Sequence, residues 1–416
     1  MVIQNALSVV NSVADDGRLM RLFPFPADFN KDVIEAWEWK TDIITSFNNT
    51  EQRQCLRYRP RRSYEFSVMI SREERSLFEN LMWAHQKGVW GVPMWHKPSV
   101  TSVAYAAGEV LFTPDKAQDY AGDYAVFFIS PTQYEMVRLL HADGGVTLAT
   151  PLINTWPAGT FTFPVYAAKM KDNVDMASKL ATLATGSLSF SLLSCPSPYA
   201  GVPYPELSPE VLVSGYRVLE YPHDWSAEVS GTFGIKAEMH DSGITDPTWE
   251  IEGSLPYVVQ PHRFFLNSAS RIDQFLGFMD ALKGKFLEFF LPSQKEDFKV
   301  LAYRNGDNPY KLLVKFCGFT DLVLASSQGL PGRNRVRIEF SDGVVSYKRI
   351  TGSVATEAGE ELTLASVLPE GYSAGDIRLV SFLSIARLDS DRVELLYKSP
   401  RFAVAATTIK TTNRIV

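Results

Sequence analysis

Apolar and polar residues alternate with a period of two along much of the chain, a pattern that is typical of half-buried β-strands. Two clear runs are 37–43 and 233–239. In the first half of the chain, further runs lie between Gly-Asp, Ser-Pro and Gly-Gly turns, at 103–112, 123–129, 134–140, 145–149 and 160–167. The pattern predicts a mainly β protein whose strands are joined by short turns.

Two segments depart from this alternation and have the apolar spacing of an amphipathic helix. Ser71 and Glu74 have the spacing of a capping box, which marks the start of the first helix. The second helix begins at Asn267 and is expected to end at Gly284, because glycine often follows the last turn. The predicted apolar faces are Leu77, Phe78, Leu81, Met82 and His85 in the first helix and Ile272, Phe275, Leu276, Met279 and Leu282 in the second. We predict that His85 packs on this face and does not bind a metal.

The two helices belong to two copies of one duplicated unit. The segment 25–33 reads aromatic-Pro-x-Asp-aromatic-x-x-acid-Val, and the segment 221–229 reads the same. Further along, the block 146–150 matches 362–366, so the second copy carries extra residues, which we place at 293–332. Matching blocks in the same order and at nearly constant spacing indicate an internal duplication.

The chain therefore divides into two like halves. Each half is expected to contain a strand pair, a capped helix and a small β-barrel or β-sandwich, so the fold class is mainly β with a few short helices (α+β). The predicted boundaries are a first repeat at 1–196 (strand and helix lobe 20–97, β lobe 98–192), a Pro-rich linker at 197–215, and a second repeat at 216–416 (strand and helix lobe 216–292, β lobe 293–416). The last stretch, 407–416, is β-prone but polar, and we expect an arm that reaches a neighbour.

Composition narrows the class of protein. The chain has 41 Lys and Arg against 47 Asp and Glu, a net charge of −6, so nucleic acid is not expected as its main partner. Phe, Tyr and Trp make up 12% of the residues. Aromatic residues favour strands and buried interfaces, which predicts a β-rich protein that works in an assembly.

Segments that address a protein to a membrane or to secretion are not expected. No apolar run approaches the roughly 18 residues that a membrane helix needs, and the first residues lack the basic region of a secretory signal. Cys55, Cys195 and Cys317 lie far apart and form no motif, so we expect reduced thiols in a protein made in a cytoplasm.

Motifs of catalysis and metal binding are mostly missing. The histidines form no HxH, HxxxH or HExxH pair, and no phosphate-binding glycine motif occurs. Ser373 lies in a GxSxG motif, but Pro369 precedes it and a strand pattern follows, so we predict a plain turn. Asp389 and Asp391 resemble an acidic metal-binding pair and are interpreted in the same way. The sequence therefore predicts no enzyme, no cofactor and no metal.

A cluster of arginines is the strongest local charge feature, and it consists of Arg53, Arg57, Arg59, Arg61 and Arg62. Three interpretations apply to what looks like a basic loop: a subunit interface, a solvated loop, or a contact with nucleic acid. We favour the subunit interface, because an acidic chain offers carboxylates on a neighbouring copy and arginine binds them with two parallel hydrogen bonds.

The same region carries a resemblance to a known family. The strings TSFNNTEQR at 45–53, RPRRSYEF at 59–66 and GVWGVPMW at 88–95 are similar to virion tail proteins of long-tailed phages, in the distal tail and baseplate families. The resemblance covers about residues 20–100, with a looser echo at 220–295. It implies a structural subunit of the virion tail tip that forms a ring with copies of itself, a trimer or a hexamer. Its further partners would be the tail tube, the hub, the fibres and other tail-tip proteins.

A virion protein that acts on host glycans is the alternative. A glycan-degrading enzyme needs two carboxylates at a set distance, and Asp241 with Asp246 or Glu360 with Glu361 are candidates. A carbohydrate-binding protein needs exposed aromatic platforms, for which the candidates are Trp90, Trp95 and Trp156. We favour core or interface positions for these tryptophans.

Overall fold

The computed structural model describes residues 12–13, 19–46, 50–142, 145–180, 182–193, 212–226, 228–304, 310–324 and 333–412. Strands account for 55% of the structure and helices for 11%, so the predicted mainly β fold class is confirmed. The N-terminal segment, Cys195 and most of the predicted linker lie outside the described residues. The last linker residues, 212–215, enter a short hairpin.

The first half of the chain contains one α-helix, α1 (Arg72–His85). Its strands are β1 (Ser12–Val13), β2 (Leu19–Leu22), β3 (Val33–Thr45), β4 (Glu51–Ser71), β5 (Val89–Pro93), β6 (Ser99–Val100), β7 (Leu111–Phe112), β8 (Tyr124–Ser130), β9 (Gln133–Ala142), β10 (Gly145–Leu148), β11 (Phe161–Met170), β12 (Asp175–Leu180) and β13 (Leu183–Leu192). The strands predicted at 123–129, 134–140, 145–149 and 160–167 correspond to β8, β9, β10 and β11. The prediction at 103–112 is wrong except for its last two residues.

The second half contains the helix α2 (Ala269–Leu282). Its strands are β14 (Leu212–Val213), β15 (Tyr216–Arg217), β16 (Thr232–His240), β17 (Thr248–Leu266), β18 (Phe289–Pro292), β19 (Val300–Arg304), β20 (Tyr310–Val314), β21 (Arg335–Phe340), β22 (Val345–Thr356), β23 (Gly359–Leu364), β24 (Ile377–Leu388), β25 (Arg392–Ser399) and β26 (Phe402–Thr411). Single helical turns occur at Ala117–Tyr120, Thr320–Leu324 and Ala374–Asp376.

The duplication extends to the strand pairings. The hairpin β3–β4 corresponds to β16–β17, and β4 pairs with β13 as β17 pairs with β26. The register recurs too, since Ser63 lies opposite Ser191 in the first half and Val259 lies opposite Lys410 in the second. The pairs β11–β13 and β12–β13 likewise recur as β24–β26 and β25–β26. The two halves are therefore copies of one fold, not merely of one sequence pattern.

The β lobes also share one strand order. The order β7–β10–β9–β8–β11 in the first half recurs as β20–β23–β22–β21–β24 in the second, where β19 adds to β20. All of these strands belong to one branched 24-stranded sheet that does not close into a barrel. The extra residues of the second half lie partly between β20 and β21, as placed, and partly in the β22–β23 hairpin, which is longer than β9–β10.

The polar C-terminal stretch forms a strand in the middle of the sheet. The prediction of an arm is wrong for 407–411, because these residues belong to β26, which pairs with β17, β24 and β25. Residues 413–416 lie outside the described residues. The stretch alternates, so that Ile409 is buried while its neighbours point away from the core.

One hydrophobic core extends across both halves, and a smaller core fills each β lobe. The helix faces are as predicted: α2 buries Ile272 and Met279, and α1 packs Phe78 against the same core. The Ser71 amide donates to the Glu74 carboxylate at 3.2 Å, which confirms the capping box. In α2 the cap is Ser268, one residue after the predicted start, and its hydroxyl accepts from the Arg271 amide.

Candidate interaction surface

The two halves join edge to edge through β3 and β25. β25 belongs to the second half and pairs antiparallel with β3 of the first half, with Val393 opposite Trp37 and Tyr397 opposite Val33. Each of the two strands provides hydrogen-bond partners for backbone N–H and C=O groups of the other, which would otherwise be unpaired at a sheet edge. Because the halves are copies, this joint, here called the internal joint, is in effect a contact between two like units.

Asp391 locks the internal joint. Its carboxylate accepts hydrogen bonds from the Thr41 amide (2.8 Å), the Thr41 hydroxyl (2.9 Å) and the Lys285 amide (2.9 Å). Its carbonyl oxygen accepts from the Trp39 amide at 2.9 Å. Its neighbour Asp389 binds Arg387 at 2.9 Å. Both acids of the metal-like pair therefore have structural partners.

A buried charged cluster lies further along the internal joint, where Glu35 of β3 faces Leu395 of β25. The Glu35 carboxylate binds Arg62 Nε at 3.0 Å and lies 3.1 Å from His96 Nε2, while the Tyr397 hydroxyl donates to it at 3.2 Å. His96 Nδ1 lies 3.2 Å from the Tyr64 hydroxyl, so both ring nitrogens of His96 face polar groups of the cluster. Tyr397 comes from β25, so this cluster closes only when the two halves are joined.

The electrostatics of the cluster fix its charge state. Burial alone would raise the pKa of Glu35, but Arg62 and the hydrogen bond from His96 outweigh it and hold the pKa well below its usual range. Burial also lowers the pKa of His96, against the opposing pull of Glu35. The cluster therefore holds one buried ion pair, Glu35 with Arg62, and a neutral histidine.

Two tryptophans of β3 fill the internal joint. Trp37 and Trp39 are each 1% exposed, and the Trp37 indole N–H donates to Glu35 at 2.8 Å. Trp39 lies at the end of α2, where Gly284 has a φ of +71°. A Cβ at Gly284 would lie 2.3 Å from Asp391 Oδ1 and 3.0 Å from Trp39 Cβ, so only glycine fits this position.

The predicted arginine cluster lies in a strand, not in a loop. Arg57 to Arg62 belong to β4, and Pro60 is accommodated where the β3–β4 register shifts. Arg53 binds Glu288 of the second half at 2.6 Å, and Arg57 binds Glu38 at 3.1 Å.

Three of the five arginines are thus used inside the chain, since Arg62 lies in the buried cluster. Arg59 and Arg61 are exposed and form no ion pair with the described residues. For these two, a contact with another subunit stays a prediction.

The counterparts of the joined edges lie open. β16 corresponds to β3 and pairs only with β17 among the described strands, and β12 corresponds to β25 and pairs only with β13. Phe233 stands at the place of Trp37 but is 72% exposed. Other apolar side chains of the β16–β17 hairpin are also exposed, namely Met239, Ile244 and Trp249.

A cavity of about 830 Å³ lies beside the open β12 edge. The end of α1 forms one wall with Phe78, Met82 and Trp83, and the strand forms the other with Val174 and Met176. Trp83 is 91% exposed. In the second half, the corresponding place between the end of α2 and β25 is where Trp39 packs.

The tryptophans proposed as sugar platforms are in the core. Trp90, Trp95 and Trp156 are at most 4% exposed. The Trp156 indole donates to Glu135 at 3.0 Å, and Glu135 also accepts from the Ile153 amide. These three residues cannot present a flat face to a glycan.

Two of the candidate acids, Glu360 and Glu361, have structural partners. Glu360 is fully buried and accepts from the amides of Cys317 and Thr320, at 3.0 and 2.8 Å. Burial would raise the pKa of Glu360, but these amides hold it below its usual range. Glu361 forms an ion pair with Lys311.

The remaining candidate residues lie in turns or pack locally. Asp241 and Asp246 are exposed at the tip of the β16–β17 hairpin. Ser373 begins a single helical turn and binds Asp376 at 2.7 Å, with no strand-to-helix elbow. His85 binds the Val89 carbonyl at 2.8 Å and packs on Trp90, as predicted for a packing residue.

No group of three or more His, Cys, Asp or Glu side chains that could hold a metal ion occurs among the described residues. Within the same residues, no helix has the length and apolarity to cross a membrane. In comparisons with known proteins, neither a protein-family model nor a curated protein sequence matches this chain.

Proposed function

We propose that this protein is a structural subunit of a phage tail tip, in which copies of the chain form a ring that joins the tail tube to the hub and the fibres. The observation that carries the proposal is the internal joint: one chain already contains two copies of a fold, joined edge to edge. The sequence resemblance to distal tail and baseplate proteins supports the same class of function.

The duplication suits a junction between different symmetries. A ring of three chains presents six similar units, which would match a hexameric tube on one face and a trimeric hub on the other. A unit that joins its own copy through strand edges and aromatic side chains has the type of contact that a ring needs.

The structural role is also favoured by how the charged residues are used. The acids and arginines that were candidates for catalysis or binding are mostly bound to each other or to backbone amides, as in Asp391 and Glu360. A catalytic carboxylate needs access to a substrate, which the fully buried Glu360 lacks.

The test is native mass spectrometry of the purified chain, alone and with the neighbouring virion proteins, together with gold labelling of intact virions. We expect trimers or hexamers and label at the tail tip. A chain that is absent from virions, or that degrades or binds cell-wall polymers as an isolated monomer, would overturn the proposal.

A further inference from the structure

Each half of the chain has two edges that can join another half. The first, here called the hairpin edge, is β3 in the first half and β16 in the second. The other, here called the terminal edge, is β25 in the second half and β12 in the first. The internal joint uses the hairpin edge of the first half and the terminal edge of the second, which leaves β16 and β12 over.

We infer that the open hairpin edge, β16, pairs with the open terminal edge, β12, of a second copy of this chain. The inference rests on the proposed function and names the surface through which the ring would form. Equivalence of the halves sets the register: Phe233 would lie opposite Val174 of the next copy, as Trp37 lies opposite Val393. The strands would run antiparallel, as in the internal joint.

The shapes of the two surfaces fit this pairing. In the internal joint, the tryptophans of β3 pack on β25 and at the end of α2. The corresponding place at β12 and the end of α1 is the cavity of about 830 Å³. By the same equivalence the position of Trp39 falls on Ile235, and Phe233, two residues earlier on β16, is an aromatic residue that is 72% exposed. One surface thus lacks what the other presents.

Exposed apolar residues give the pairing its driving force. Burial stabilises by about 25 cal/mol per Å² of apolar surface. Phe233 lies in the stretch that corresponds to the paired residues 33–38 of β3, whereas the exposed Met239, Ile244 and Trp249 lie further along the hairpin. Trp83 is exposed at the rim of the receiving cavity. An uncovered edge with such side chains tends to pair with other chains unless a partner covers it.

A polar counterpart of the Asp391 lock is present as well. Asp172 occupies the corresponding position in the turn before β12 and is exposed. In the pairing it would face the backbone amide at Ala237, the counterpart of Thr41. The buried ion pair has no counterpart, because Gly231 and Val258 stand at the positions of Glu35 and Arg62.

The contact joins two different edges, so it is heterologous and propagates from copy to copy. Every chain offers one hairpin edge and one terminal edge. Copies therefore form a closed ring when the rotation between them closes, and the ring contains an even number of repeats.

The experiment is site-directed cross-linking between copies. Cys195 and Cys317 are first replaced by serine, and Cys55, which is buried, is kept. V174C and F233C are then made separately and oxidised or treated with a short bis-thiol reagent, since facing side chains in a sheet have Cβ atoms about 5 Å apart. We expect no dimer from either variant alone and a covalent dimer from their mixture.

A matched control replaces V174C by L140C, which lies on an exposed position of β9 and should not link to F233C. The doubly substituted V174C/F233C chain should give closed oligomers. F233E should keep its circular dichroism spectrum and lose assembly. Dimers from F233C alone would mean that two hairpin edges meet, and a mixture without cross-links at about 100 μM would mean that the edges do not pair; either result overturns the inference.

Failure of this inference is separable from failure of the function. Tail-tip label and rings without V174C–F233C cross-links would refute the edge pairing and leave the function standing. Cross-links in the purified chain, with no protein in virions, would support the surface and refute the function.

Discussion

β3 and β16 are copies of one strand with opposite surroundings. Trp37 of β3 is 1% exposed, and its counterpart Phe233 of β16 is 72% exposed. Both lie in runs with the same alternation, so the pattern alone does not distinguish them. The difference comes from β25, which covers β3, whereas no described strand other than β17 pairs with β16. Whether such an aromatic residue belongs to a core or to a surface is decided by the strand that pairs beside it.

The polar residues of the two edges differ in a complementary way. β3 contributes Glu35, which binds Arg62, His96 and the Tyr397 hydroxyl, whereas the corresponding position in the second half is Gly231, just before β16. Of these partners, only the Tyr397 hydroxyl comes from β25, so another strand in its place would leave the buried Glu35 carboxylate without this hydrogen bond. An edge without buried charge, such as β16, can join and separate without this penalty.

The largest expected effect is the truncation of the buried aromatic residue. We expect W37A to lower the free energy of unfolding by about 4 kcal/mol, the range for truncating a large core residue. F233A, its matched control, should change it by less than about 0.5 kcal/mol in a dilute, monomeric chain. Urea unfolding followed by tryptophan fluorescence and circular dichroism measures both. Equal losses would mean that Trp37 and Phe233 are equally buried, which would contradict the difference between β3 and β16.

Removal of the buried charge is the next largest effect. E35Q should destabilise the chain by about 3 kcal/mol, because Arg62 then keeps its charge in a buried site without a carboxylate. The control is E38Q, which removes a half-exposed partner of Arg57 and should cost less than about 1 kcal/mol. Urea unfolding at neutral pH measures both. A loss in E38Q as large as in E35Q would show that burial of the ion pair does not set its importance.

The sequence pattern predicted the features that depend on residues close together in the chain. The faces of both helices were readable because a period of 3.6 residues places Ile272 and Met279 on one side whatever surrounds the helix. The duplication could be predicted because both copies need the same residue types in their turns and cores.

The internal joint could not be predicted from the sequence in this way. The pairing partner of a strand is set by the whole sheet, so nothing near Val393 says that it faces Trp37. The arginine segment was predicted to be a loop because proline usually interrupts a strand. In the structure, a shift in the β3–β4 register accommodates Pro60 within β4. The stretch 407–411 looked too polar for a core, yet a central strand needs apolar residues on only part of its surface.

Loss of the carboxylate lock is the third effect. D391N keeps the size of the side chain but replaces one of the carboxylate oxygens that accept from Thr41 and from the Lys285 backbone amide. We expect it to lower the free energy of unfolding by about 2 kcal/mol. D172N at the open edge should be neutral for the monomer and should weaken assembly. Calorimetry of dilute samples measures the first, and native mass spectrometry at higher concentration the second. A neutral D391N would show that the strand pairing holds the halves without this residue.

Acid sensitivity is the fourth effect, smaller than that of D391N above about pH 5, and it distinguishes the two halves by a single position. His262 of β17 occupies the place of Phe66 in β4, and burial, with His223 and Lys295 nearby, lowers its pKa from 6.5 to about 3. The folded state therefore favours the neutral imidazole, and the stability that this gives is complete above pH 6.5 and is lost as the pH falls toward 3. We expect a loss of about 2 kcal/mol near pH 5.

H262F, which copies the first half, should remove this part of the acid dependence and leave the remainder, which includes the contribution of His96. Urea midpoints of both chains between pH 8 and about 4.5 measure the difference. Parallel pH profiles would show that His262 takes up its proton in the folded chain as easily as in the unfolded one. A profile that flattens in H262F would place part of the acid sensitivity in the second half, in the strand that pairs with the open edge strand β16.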